Sequence, residues 1–298
     1  MKIGVIGGSG LYHIDGICNL REVALETPFG RPSDAFMCGE IEGVETVFLA
    51  RHGRGHVLMP SEINFRANLY GMKALGVEKV VSVSAVGSFR EEMAPRDIVM
   101  VDQFVDRTKR SADHTFFGQG IVAHIAFADP VCGALLALVA DAAEEVLNGL
   151  PPGPAGRRPH LHRGGTYLNM EGPAFSTRAE SYLHKSWGMD VIGMTNLAEA
   201  KLAREAELCY TTMALVTDYD CWHAAHEDVS VELVIKTLLD NAEAARTIIR
   251  RVVPRVARTG DCPCWHALRN AVITAPDRFP AATRAKLDLL LAKYFPAK

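Results

Sequence analysis

The chain has 298 residues, 48% of them hydrophobic and 22% charged, and a formal net charge of -3. That composition supports a sizeable core and excludes global disorder, and the mild acidity argues against a nucleic-acid binder, which needs a basic stripe. The seven cysteines are odd in number and scattered, so a secreted disulfide framework is not expected. No run approaches the roughly 18 apolar residues of a membrane span. The first residues reach glycines too soon for a signal-peptide core, so a cytoplasmic enzyme is the expectation.

In chain order, residues 3–6 read as a short buried strand entering the glycine-rich turn Gly7-Gly8-Ser9-Gly10. Residues 48–50 read as a strand end leading to Arg51-His52-Gly53, and 63–75 as a helix stopped by Gly76. Residues 80–84 and 98–105 are strand-like, and 135–147 are helical. The Pro- and Gly-rich stretch 150–159 reads as a surface excursion because strand signals resume after it. Residues 189–194 and 210–216 predict further buried strands with a helix over 197–207 between them. Ser230 can cap a long final helix whose Val231, Val234, Ile235 and Leu238 share a face. Strands alternating with helices predict an α/β fold with a largely parallel sheet.

Three polar or glycine-rich turns close apolar strands: the one at Ser9, the one at Arg51-His52, and Ser84-Ala85. In open α/β sheets such strand ends face ligands. Backbone N–H groups and hydroxyls suit an anion, Arg adds bidentate recognition, and His can donate a further bond. The first turn is not a dinucleotide fingerprint, since the last glycine position is His13, and it lacks the P-loop ending. Asp218 and Asp220 follow another apolar strand. Two close carboxylates, partly buried, raise each other's pKa, so that one can hold a proton and donate it to a basic leaving group. A polar turn with a capping Asp fits the same residues. Cys262-Pro263-Cys264 with His266 resembles half a metal site, but no second Cys or His pair stands at finger spacing. A disulfide or two free thiols fit better, and no metal is expected.

Taken together, an ordered set of strings resembles the S-methyl-5′-thioadenosine phosphorylases of the trimeric purine nucleoside phosphorylase family. The set includes Gly7-Gly8-Ser9-Gly10-Leu11, Arg51-His52-Gly53-Arg54-Gly55-His56, Ser84-Ala85-Val86-Gly87-Ser88, Met170-Glu171-Gly172-Pro173-Ala174-Phe175-Ser176-Thr177-Arg178, Gly193-Met194-Thr195 and Thr217-Asp218-Tyr219-Asp220-Cys221-Trp222. The resemblance runs to about Arg250. It implies a single α/β domain over 1–298, built on a central mixed, partly barrel-like sheet flanked by helices, with residues from about 254 as a helical C-terminal extension. It also implies a homotrimer, which can pair into a hexamer, with no metal or organic cofactor and with phosphate as co-substrate. The implied reaction converts phosphate and methylthioadenosine to adenine and 5-methylthioribose 1-phosphate, in methionine and purine salvage. By motif position Ser9, Arg51, His52, Ser84, Ala85 and Thr195 would hold phosphate, and Met194 would lie along the ribose. Phe175, Ser176, Asp218 and Asp220 would surround the purine, with Asp220 as acid to N7. Val231, Val234 and Ile235 would face the methylthio group, and His124 would reach that pocket from a neighbouring subunit. Serine stands at 9 and 84 where many relatives carry threonine, which keeps the hydroxyl. The segment 114–122 and the tail after 254 match poorly.

Carboxylates at 218 and 220 favour a 6-amino purine, which needs an acceptor at its amino group and a donor at N7. An amide would suit a 6-oxopurine instead, so a 6-oxopurine or methylthioinosine phosphorylase is the nearest alternative. A non-catalytic nucleoside-binding module is the distant one. Nucleic-acid and membrane partners are not expected.

Overall fold

A computed structural model describes the chain except residues 9–10, 12–13, 153–155, 224–230 and 297–298, and leaves out the side chains of 111, 231–236 and 238–240. Among the described residues, eleven strands form one mixed sheet: β1 (Lys2–Gly7), β2 (Ile17–Val23), β3 (Phe36–Ile41), β4 (Val44–Ala50), β5 (Val77–Ser88), β6 (Ile98–Val101), β7 (Gln103–Asp106), β8 (Leu161–Arg163), β9 (Thr166–Asn169), β10 (Val191–Gly193) and β11 (Cys209–Asp218). The helices are α1 (Phe65–Ala74), α2 (Gly133–Gly149), α3 (Arg178–Ser186), α4 (Asn196–Glu205) and α5 (Val231–Val256), followed by the short α6 (Ala281–Lys286) and α7 (Asp288–Leu291).

The spine of the sheet is parallel: β4, β1, β5 and β11 lie side by side in that order. At its far end β5 forks, pairing with β11 on one branch and antiparallel to β10 on the other. The β10 branch continues through β9 to β7, and the β11 branch through β6 to β8. The mixed sheet flanked by helices matches expectation, and it remains open, with no ladder joining its outer strands among the described residues. Alternation along the spine divides the core. Ile3, Val5, Val81, Val83 and Met213 pack on α2 and α5, whereas Ile6, Val80 and Tyr210 face α1, α4 and the C-terminal helices. Both faces are covered, which is why these strands read as unbroken apolar runs.

The strand expected over 98–105 is two strands belonging to different branches. Asp102 makes the break: its N–H donates to the Gly165 carbonyl at 3.2 Å and its Oδ1 accepts from the Gly165 N–H at 3.0 Å. An apolar run with one polar interruption gave no sign that its two halves change partners. The expected cap Ser230 lies outside the described residues. No described helix is long and apolar enough to cross a membrane.

Candidate active site

The parallel spine brings the carboxyl ends of β1, β4, β5 and β11 to one edge, beside the fork. Gly7 at the end of β1 pairs with Ala50 at the end of β4, and the Arg51 N–H donates to the Gly7 carbonyl at 2.9 Å. The Arg51 side chain then turns inward and is only 3% exposed. Its Nε donates to Glu199 Oε1 at 2.5 Å, Nη2 to Ser82 Oγ at 2.6 Å and to Glu199 Oε2 at 3.2 Å, and Nη1 to the Val83 carbonyl at 2.9 Å. Burial alone would lower the Arg51 pKa, but the charge and hydrogen bonds of Glu199 more than reverse that. Four of the five guanidinium donors are engaged, leaving one Nη1 N–H for a ligand. Glu199 also accepts from Ser82 Oγ at 2.7 Å and from the Tyr210 hydroxyl at 2.9 Å, so α4 and three strands meet in one buried network.

The other expected anion-binding groups surround this network. Thr195 sits at the N-cap of the ten-residue α4 without using its side chain as a cap. Its N–H reaches the Tyr167 hydroxyl at 3.5 Å, and the Ser84 side chain lies close to that hydroxyl. Ser84 is buried and Ala85 half-buried, both near the end of β5. An amide-rich helix end, two hydroxyls and one arginine N–H therefore converge, a setting that favours an anion. Ser9, expected in the same cluster, lies outside the described residues.

His52 departs from expectation in its hydrogen-bonding sense. Its Nδ1 donates to the Leu58 carbonyl at 2.8 Å and its ring stacks on His56 with centroids 4.2 Å apart. Burial, then the Arg51 charge, push its pKa down to about 4. A neutral imidazole whose Nδ1 carries the proton presents a bare Nε2, an acceptor. The sequence suggested a donor's role because a backbone partner six residues down a loop leaves no pattern.

At the end of β11, Asp218 stands opposite Gly87 of β5. Its Oδ2 accepts from Thr217 Oγ1 at 2.7 Å and its Oδ1 from the Asp220 N–H at 2.8 Å. This closes an Asx-type turn that holds Asp220 in the left-handed region at φ 49. Burial pushes Asp218 up to about 6, against those same hydrogen bonds. Burial raises Asp220 as well, opposed by the nearby Ser181 and Ser176 hydroxyls. Asp220 Oδ2, Ser176 Oγ, Ser181 Oγ and His184 Nδ1 are all buried without a well-formed hydrogen bond. The two carboxylates thus differ: Asp218 spends its oxygens on the turn, while Asp220 keeps one unpartnered.

Met194 is half-buried, its Sδ held where a Cβ on Gly172 would come within 2.5 Å. Phe175 is 43% exposed. His124 stands apart, exposed, on a strip whose backbone bonds the C-terminal tail through the Ala271 carbonyl at 2.8 Å. Val231, Val234 and Ile235 begin α5, but their side chains lie outside the description. Glu199, Tyr167, Ser181 and His184 went unread in the sequence. Glu199 carried one signal: it stands three residues after Asn196, which puts two polar groups on the same face of α4.

The profile of the family described as the phosphorylase superfamily matches residues 2–254. This chain belongs to the phosphorylase superfamily. Among superfamily members of similar sequence, S-methyl-5′-thioadenosine phosphorylase from Thermosynechococcus vestitus is 58% identical over 98% of this chain and 99% of its own. The Geobacter sulfurreducens protein of the same name is 56% identical over 98% of both chains. Among solved phosphorylase structures, a methylthioadenosine phosphorylase from an Antarctic soil metagenomic library superposes with a TM-score of 0.90 at 44% identity, covering 97% of this chain and 98% of the other. Methylthioadenosine phosphorylase from Schistosoma mansoni in complex with adenine gives a TM-score of 0.79 at 32% identity, over 98% of both chains.

Proposed function

We propose that this chain catalyses phosphorolysis of S-methyl-5′-thioadenosine to adenine and 5-methylthioribose 1-phosphate. The observation that carries this reading is the buried, unpartnered Asp220 Oδ2 beside the equally unpartnered Ser176 Oγ, at the strand edge that also holds Arg51 and Thr195. Full-length relatives named for that activity support it.

Breaking the N-glycosidic bond puts positive charge on the ribosyl ring and negative charge on the departing adenine. Phosphate would occupy the α4 N-terminus, touching Thr195, Ser84, the Ala85 backbone, Ser9 and the free Nη1 N–H of Arg51, and attack C1′ from the opposite face. Fixed donors in a buried site hold that charge without reorganising. His52 would accept from the hydroxyl of monohydrogen phosphate through its bare Nε2. Protonated Asp220 would donate to N7 as the bond breaks, and Asp218 would hold the turn and accept from the 6-amino group. Met194 would lie along the ribose and Phe175 over the base. Val231, Val234 and Ile235 would receive the methylthio group, with His124 of a neighbouring subunit in a homotrimer. No organic cofactor enters this chemistry. The reaction would serve methionine and purine salvage in the cytoplasm.

The test is adenine release from methylthioadenosine with and without phosphate. Release only with phosphate is expected. Phosphate-independent release would mean a hydrolase, preference for methylthioinosine would overturn the purine assignment, and binding without turnover would leave a nucleoside-binding protein.

A further inference from the structure

Four of the seven cysteines meet in one place far from that chemistry. Cys132 immediately precedes α2, Cys209 opens β11, and Cys262 and Cys264 follow α5. Their four Sγ atoms lie within 4.8 Å of one another, and three of the residues are buried, Cys264 half-buried. The sequence offered no second pair at finger spacing, and it is the fold that brings two further cysteines to the Cys-x-Cys pair. The partners of the Cys-x-Cys pair come from two distant segments, joined because the Cys132 N–H donates to the Tyr210 carbonyl at 2.8 Å. His266 is not part of the group; its Nε2 lies 3.6 Å from Asp261.

We propose that Cys132, Cys209, Cys262 and Cys264 form a structural zinc site that fastens the C-terminal tail to the central sheet. Zinc bound by four thiolates at about 2.3 Å spaces its sulfurs about 3.8 Å apart, so this cluster needs to contract by at most about 1 Å. The Cys132 and Cys262 sulfurs already stand 3.6 Å apart, a tetrahedral edge and far from the roughly 2.05 Å of a disulfide. Four protein ligands close the coordination sphere, which marks a structural role.

The surroundings answer the charge that such a site would carry. Binding releases the thiol protons and leaves a net charge of about -2 on the metal and four thiolates. Buried Lys79, which donates to Thr259 Oγ1, lines the same cavity of about 70 Å³ as Cys132, Cys209 and Cys262, and so does Asp261. Cys132 lies at the N-terminus of the 17-residue α2, where a thiolate is favoured. Leu135, Leu138 and Trp265 belong to the apolar cluster around the sulfurs and exclude water.

What the site fastens is the platform behind His124. The tail that follows Cys264 bridges Val272 to Ala123, and the Ile273 N–H donates to the Val122 carbonyl at 3.0 Å. A metal at the root of the tail would fix this pairing.

The test uses the full-length protein, purified under reducing conditions without chelator, with metal measured by inductively coupled plasma mass spectrometry. One zinc per chain is expected, with four thiols shielded from a thiol reagent until a strong chelator is added. The C262S/C264S double variant should lose the zinc. Should that variant fail to fold, replacement of zinc by cobalt in the wild-type protein gives the second reading: an intense thiolate-to-cobalt charge-transfer band with tetrahedral visible bands. Metal-free protein with four freely reactive thiols, disulfides found by non-reducing peptide mapping, or zinc retained by the double variant would each overturn the proposal.

Discussion

At the scale of single residues, the site is governed by what burial does to charge. Asp218 rises to about 6 from an ordinary 3.8, so the folded protein binds its proton more tightly than the unfolded chain does. The contribution to stability is therefore complete below about pH 4 and is lost as pH rises through about 6. Asp218→Asn should flatten that loss by roughly 3 kcal/mol, read from denaturant midpoints at about pH 4 and pH 7.5. An unchanged pH dependence would mean that Asp218 is not buried as a carboxyl. Asp220 is raised by the same cause, and as the proposed acid it acts only while protonated, so turnover should fall as pH climbs through its pKa. Asp220→Asn should lower kcat by about 10²–10⁴-fold and remove that limb of the profile. The Arg51–Glu199 pair obeys the opposite logic. With side chains 4% and 1% exposed, removing one partner strands the other's charge, and Glu199→Gln should cost about 3–5 kcal/mol. The apolar double variant R51M/E199L should recover most of that stability and still fail to use phosphate. Recovery of both would show that the pair only packs. The carboxylates and Arg51 were legible in the sequence because charged residues ending apolar strands stand out. Glu199, Ser181 and His184 were not, because each lies on a helix whose sequence says nothing about which strand end it will face.

At the scale of elements, strand existence was legible and strand partnership was not. The apolar runs of β1, β5 and β11 announce themselves because both faces of the spine are covered. The fork at β5 is invisible, since its branches pair through backbone groups every residue has. The fork nevertheless sets the site: where β11 and β10 diverge from β5, Gly87 faces Asp218 across one ladder and Ile192 across the other. A Cβ at Gly87 would lie 2.9 Å from Asp218 Oδ1 and 3.1 Å from Ile192 Cγ2. Gly87→Ala should therefore displace the 218–220 turn and lower kcat/KM for methylthioadenosine by an order of magnitude or more. Its cost in stability should stay near the 1–3 kcal/mol of ordinary overpacking. Equal loss from both variants, Gly87→Ala and a substitution elsewhere on β5 of the same stability cost, would show that the effect is global destabilisation. The long α5 was legible from its apolar stripe, and the tail beyond it was legible only as helical, without the cysteine cluster that roots it.

At the scale of the whole molecule, His124 poses the remaining question, because it is exposed on its own chain while its proposed place is the 5′ pocket. The strip that carries it is stiffened from behind by the tail at Ala271–Thr274, including a bond from the Val122 N–H to Thr274 Oγ1 at 2.8 Å. Val122 and Ile273, 42% and 65% exposed, give the strip an apolar flank suited to a subunit contact. In a threefold ring each interface is heterologous, so one surface of a chain meets a different surface of the next, as the proposed reach of His124 into a neighbour's 5′ pocket requires. Mixing two inactive variants separates this from an intrachain role. His124→Ala chains keep Asp220, and Asp220→Asn chains keep His124. If the histidine crosses, unfolding and refolding equal amounts together should rebuild intact sites at about one quarter of the total, since half the chains carry the acid and half of their neighbours the histidine. If it acts within its own chain, no intact site can form at any ratio. Activity no higher than the sum of the separate variants, in trimers verified by native mass spectrometry to be mixed, would therefore confine His124 to its own subunit.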